Sequence, residues 1–180
     1  LFMTMPLLVL AALTVDHIIA RWSKTLFGLV LLAMLTMPSV WTDYLLLTQP
    51  THALIPQADR GQYINDWPAG WGVKEVSEFI LRESGKGKVV VYTEGTFGLL
   101  PYGLEIWLVD RPNIEIRGLW PVPAEPTTEI LDTVKANPTY LVLNQMEGPP
   151  LGWALTPVAA YTKGLRKDRS LRLYKVELPL

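Results

Sequence analysis

Apolar and polar positions divide the chain into two stretches of different character. Before Asp59 the charged side chains are Asp16, Arg21, Lys24 and Asp43, and every other charge follows. Thr25 to Leu47, TLFGLVLLAMLTMPSVWTDYLLL, is apolar on all sides and long enough for the about 20 residues that cross a hydrocarbon core. A helix without a polar face predicts lipid around it rather than a soluble core. Pro38 predicts a kink, Trp41 and Tyr44 an interfacial aromatic belt, and Asp43 the membrane boundary.

Leu1 to Val15 is also apolar but short of a full span. It reads as a signal-peptide core or as the end of a truncated membrane helix of about residues 1–19. The basic residues follow it instead of preceding it, which favours the helix. The link DHIIARWSK then carries Arg21 and Lys24, with His17 nearby. Short basic loops stay in the cytoplasm. The expectation is two membrane helices within residues 1–47 joined by a cytoplasmic loop, with everything beyond Leu47 outside the cytoplasm and the protein multi-pass in the plasma membrane.

Residues 48–58, TQPTHALIPQA, read as a Pro-punctuated linker, and residues 59–180 as one compact domain. The spacing of Val73, Val76, Phe79 and Ile80 predicts a helix over Gly72–Arg82, broken by GKGK. Val89–Thr93 is a continuous apolar strand, Leu99–Val109 a helix, Ile114–Arg117 a short strand, and Thr128–Ala136 a helix opened by a Thr cap. Tyr140–Asn144 follows as an apolar strand, and Ser170–Glu177 alternates as an edge strand would. Strands alternating with helices predict an α/β fold with a mainly parallel, Rossmann-like sheet.

Composition narrows the chemistry. Sixteen basic and seventeen acidic side chains leave a net charge of -1, which offers nothing to nucleic acid. There is no cysteine, hence no disulfide or zinc pattern; an exported domain of this kind suits a bacterial surface. His17 and His52 fall on opposite sides of the expected span and cannot share a metal. Gly95-Thr96-Phe97-Gly98 lacks the lysine of a phosphate loop and the third glycine of a dinucleotide site. No cofactor and no catalytic set are identifiable. The run Lys163 to Arg169, KGLRKDR, predicts a solvated hairpin.

Two stretches carry candidate binding residues. In VVVYTEGTFGLLP, Val89 to Pro101, an apolar strand runs into a turn with Thr93, Glu94, Gly95 and Thr96. Ligands gather at the carboxyl ends of such strands. Glu94 has three open roles: a general base, a contact to an acceptor or carrier headgroup, or an acceptor for free N–H groups of the turn. In QYINDWPAGWG, the aromatics Tyr63, Trp67 and Trp71 with Asp66 and Asn65 form a candidate sugar platform; packing on the neighbouring helix and contact with the membrane interface are the alternatives.

The order of these parts carries a resemblance. Two membrane segments followed by DRGQYINDWPAGWGVKEVSEFI and VVVYTEGTFGLLPYGLEIWL resemble the C-terminal end of bacterial and archaeal multi-spanning glycosyltransferases of the GT-C superfamily. Within it the nearest likeness is to the dolichyl-phosphate-mannose protein mannosyltransferase-like group, family 39. The resemblance implies a sugar donor on a polyprenyl-phosphate carrier and an acidic catalytic residue in an extracytoplasmic loop upstream of this chain. It leaves Thr93, Glu94, Gly95, Thr96, Tyr63, Asp66, Trp67 and Trp71 as candidate contacts to a glycan, lipid or protein acceptor. In related oligosaccharyltransferases a comparable turn after a strand contacts the acceptor, but its paired tryptophans and aspartate are absent here. The alternative is a membrane-anchored extracytoplasmic binding or scaffolding module without transfer chemistry.

Overall fold

The computed structural model describes residues 4–21 and 25–179; Lys24 of the basic link lies outside the described residues. The chain divides into two compact units, Leu1–Leu54 and Ile55–Leu180.

The first unit consists of α1 (Thr4–Arg21), α2 (Thr25–Thr48) and a single 3₁₀ turn, Pro50–His52. Helix α2 has 24 residues, about 36 Å at 1.5 Å per residue. Its stretch Gly28–Thr48 has a mean hydropathy of 1.5 and is long and apolar enough to cross a membrane. Pro38 lies within the helix, and the Trp41 and Tyr44 rings stack with centroids 5.5 Å apart. Thr36 and Thr42 donate their hydroxyls to the Leu32 and Pro38 carbonyls one turn back, so even these polar side chains ask nothing of their surroundings. The expected linker is not featureless: besides the 3₁₀ turn, α3 (Gln57–Arg60) and a π turn (Gly61–Asn65) follow it.

The second unit is an α/β fold built on a five-stranded sheet. Its elements are α4 (Val73–Ser84), β1 (Val89–Glu94), α5 (Tyr102–Trp107), β2 (Ile114–Leu119), α6 (Thr128–Ala136), β3 (Thr139–Leu143), β4 (Leu155–Lys163) and β5 (Arg166–Val176). The strand order is β2-β1-β3-β5-β4. Strands β2 and β3 pair with β1 in parallel, whereas β5 pairs antiparallel with β3 and β4 with β5. The sheet is therefore mixed rather than mainly parallel. One further expectation is corrected: Ser170–Val176 belongs to an interior strand, because β4 pairs beyond it and takes the edge.

Alternate residues of each strand feed two cores. Val89, Val91, Tyr140, Val142, Leu171 and Leu173 pack with Val76 and Ile80 of α4 and Leu104 of α5. Val90, Tyr92, Leu141, Leu143 and Val176 pack with Ile130 of α6 and Trp153. The chain moves one way along the sheet from β1 to β2 and back across β1 to β3, which puts α5 and α6 on opposite faces, as a constant crossover hand requires. All six residues of β1 are buried, and each large apolar one contributes about 1.5–3 kcal/mol. Helix α6 starts where expected: Thr127 Oγ1 accepts from the Ile130 amide at 3.4 Å.

Candidate functional site

Strand β1 lies between β2 and β3, so the chain's reversal point falls at its carboxyl end, where open α/β sheets leave a crevice. Glu94 closes that crevice from inside. Its side chain is 4% exposed. One carboxylate oxygen accepts from the Asn144 and Gln145 amides, both at 2.7 Å, and the other from the Met146 amide at 2.8 Å. Three successive N–H groups make an anion-binding concavity, and here the chain supplies its own anion from a strand some fifty residues away. Arg172 holds the same loop from β5, donating from Nη1 to the Glu147 carbonyl at 2.8 Å and from Nη2 to that of Met146. With both oxygens committed, Glu94 sits as a clamp on the loop after β3.

The turn after β1 crosses over β2 and opens outward. Gly95 and Gly98 have φ of +94° and +92°, conformations that cost other residues free energy. A Cβ at Gly118 of β2 would lie 2.6 Å from the Gly95 carbonyl oxygen, so only glycine lets the turn pass this closely. The result is a pocket of about 290 Å³ lined by Trp67, Gly95, Thr96, Phe97, Trp120 and Gln145. Its walls come from the carboxyl ends of β1, β2 and β3 together with the loop before α4. Phe97 is 81% and Trp120 67% exposed, an aromatic display that a core would not leave in water.

The candidate residues separate into groups. Trp67, Gly95 and Thr96 meet at this pocket. Thr93 is buried, with its hydroxyl toward the Gly95 carbonyl at 3.4 Å. Asp66 accepts from the Trp67 amide at 2.9 Å and so shapes the loop that presents Trp67. Trp71 turns inward, donating Nε1–H to the Ile64 carbonyl at 2.7 Å. Tyr63 is exposed and does not line the pocket. Asn144 Nδ2 donates to the Trp67 carbonyl at 2.9 Å, tying the Trp67 loop to the loop that Glu94 clamps. Phe97, Trp120 and Gln145 escape a reading by motif; their shared signal is position, each just beyond a strand's carboxyl end.

The hairpin expectation needs one correction. The turn lies at Gly164 and Leu165, between β4 and β5, but Lys163 is wholly buried instead of solvated. Its Nζ donates to the Ala69 carbonyl at 2.5 Å, which pins the Trp67 loop from below. Burial pushes its ammonium down to about 8, because a dry site disfavours the charged form. Among the described residues no group of three His, Cys, Asp or Glu side chains is placed to hold a metal.

Compared with family models, curated proteins and solved structures, the chain matches none of them.

Proposed function

We propose that the chain is the acceptor-side part of a membrane glycosyltransferase that takes its sugar from a polyprenyl-phosphate carrier, and that the pocket of Trp67, Phe97 and Trp120 holds a saccharide of the acceptor. The Rossmann-like domain stands outside the cytoplasm, carried on two membrane helices. The observation that carries the binding role is the convergence of three aromatic side chains around Gln145 at the strand ends. Aromatic faces stack on the C–H faces of sugar rings, and an amide bonds their hydroxyls. Glu94, at the end of β1, is spent on three backbone amides, which supports positioning rather than acid–base chemistry by that residue. The transferase part of the reading rests on the sequence resemblance, which puts the catalytic acid upstream.

That same commitment of Glu94 also favours a second reading, a membrane-anchored binding module without transfer chemistry. Titrating the full chain in lipid nanodiscs with methyl glycosides and oligosaccharides, followed by tryptophan fluorescence, tests the shared element. Saccharide binding is expected, weakened about five- to tenfold in Trp120→Ala with the unfolding midpoint unchanged. No response to any saccharide would refute the pocket's assignment. Transfer from a polyprenyl-phosphate sugar by the longer chain, absent from residues 1–180 alone, separates the two readings. Turnover by residues 1–180, abolished by a substitution within them, would show that the catalytic residue had been misplaced.

A further inference from the structure

We propose that Lys163 is a positioning residue for the aromatic pocket: from the end of β4 it holds the turn that presents Trp67, and through that turn it sets the affinity for a saccharide. The affinity part rests on the carbohydrate reading of the pocket; the hold on the turn does not.

Lysine is almost never fully buried unless it is paired. Lys163 is wholly buried, and among the described residues its one hydrogen-bond partner is the Ala69 carbonyl, at 2.5 Å. No carboxylate compensates the charge, and burial is the cause that lowers its ammonium from the ordinary lysine range. An uncharged donor such as a hydroxyl would satisfy that carbonyl with a smaller desolvation penalty. What the ammonium adds is strength at one point, because a charge-assisted bond in a dry site is stronger than a neutral one. Desolvation offsets this strength in the stability of the domain as a whole. It does not weaken the local hold, since moving Ala69 away would strand a buried charge.

The turn passes that hold on to Trp67. Ala69 is buried, and its amide donates to the Asp66 carbonyl at 2.9 Å, which closes Asp66-Trp67-Pro68-Ala69 into one unit. Pro68 locks one of the two torsions between the Trp67 and Ala69 peptides and restricts the backbone of Trp67 as well. Ala69 is thus fixed from β4, and the Trp67 carbonyl from the loop after β3 by Asn144 Nδ2. A Cβ at Gly98 would lie 3.1 Å from the Trp67 ring, so the ring packs directly over the turn after β1. Drift of the ring changes the pocket that it lines with Phe97 and Trp120.

The test uses the full chain in nanodiscs at pH 7, with the methyl glycosides and oligosaccharides named above. Lys163→Met keeps the length of the side chain and removes its donor. Saccharide affinity should fall about tenfold, and the amides of residues 66–72 should exchange for deuterium about tenfold faster. The unfolding midpoint should stay at or above the wild-type value, because relief of the buried charge offsets the carbonyl left without a donor. Lys163→Gln, which keeps an uncharged donor one bond shorter, should fall between in affinity and carries the comparison if Lys163→Met does not fold. Ile80→Val, in the core beneath α4, lowers the midpoint without touching the turn and should leave affinity and turn exchange unchanged. Wild-type affinity and turn exchange in both Lys163 variants would make Lys163 a residue of the core alone and overturn the proposal, as would an equal loss of affinity in Ile80→Val. If the wild-type chain binds no saccharide, the carbohydrate reading falls and the affinity part with it, while exchange at residues 66–72 still decides whether Lys163 holds the turn.

Discussion

Helix α2 and strand β1 are both apolar runs, yet Leu29, Leu35 and Val40 of the helix stand 58–62% exposed while every residue of the strand is buried. Hydrophobicity alone does not separate them. The helix satisfies its backbone internally and leaves a sheath of apolar side chains, which suits a surrounding without hydrogen-bond partners. The strand cannot do this: its amides need β2 and β3, and its side chains need a helix layer on each face. Polar groups follow the same division. Those of α2 fold back on the preceding turn, whereas those of the second unit reach across it, Glu94 to the loop after β3 and Lys163 to Ala69.

The sharpest attack on this contrast removes the clamp. Glu94→Ala leaves three amides of residues 144–146 without their acceptor in a buried site, an expected loss of about 3–5 kcal/mol in unfolding free energy. Glu94→Gln restores one acceptor but turns an N–H toward another N–H, and should lose about 2–3 kcal/mol. Denaturant unfolding of the second unit, followed by tryptophan fluorescence, measures both. Wild-type stability in Glu94→Ala would mean that the loop does not depend on the carboxylate.

For the helix, Leu35→Arg puts a charge at mid-span, and membrane insertion should weaken by about 2.5–3.5 kcal/mol. Extraction of the variant by alkaline carbonate reads that loss, while the same change on a helix facing water would pass unnoticed. Orientation is tested by fusing alkaline phosphatase or green fluorescent protein after the last residue. An active phosphatase with a dark fluorescent fusion is the expected outcome, and the reverse pair sinks the proposed placement outside the cytoplasm.

The last effect, the smallest when read per unit of pH, concerns Lys163. Its folded value is lowered to about 8 from 10.5, so between these limits the unfolded chain binds more protons than the folded one. Stability from this group therefore rises as pH goes from about 8 to 10.5, by at most about 1.4 kcal/mol per pH unit. Lys163→Met should abolish that rise. An unchanged slope in the variant would assign the pH dependence to other groups.

Much of the fold is legible along the chain. Val89–Glu94, Thr139–Leu143 and the two helices α4 and α6 lie within a residue or two of the expected spans, because glycine, proline or a threonine cap marks most of their ends. Strand β4 was hidden: LTPVAAYTK carries Pro157 and two alanines and is largely exposed, so neither alternation nor an apolar run announces it. The error over β5 has a more general cause. Side-chain alternation reports whether a sheet's faces are covered, and says nothing of whether the strand's backbone is paired on one edge or two.

By itself the sequence determined the two-part division of the chain, the apolar strands and the turn after β1, since these depend on composition and short-range spacing. Only the tertiary structure decided what Glu94 does, which aromatics meet and where Lys163 goes. Those partners lie far apart in sequence, 50 residues between Glu94 and Asn144 and 94 between Ala69 and Lys163. They become neighbours through the order in which the strands join the sheet. That order is set by packing across both faces, which no local pattern of side chains encodes.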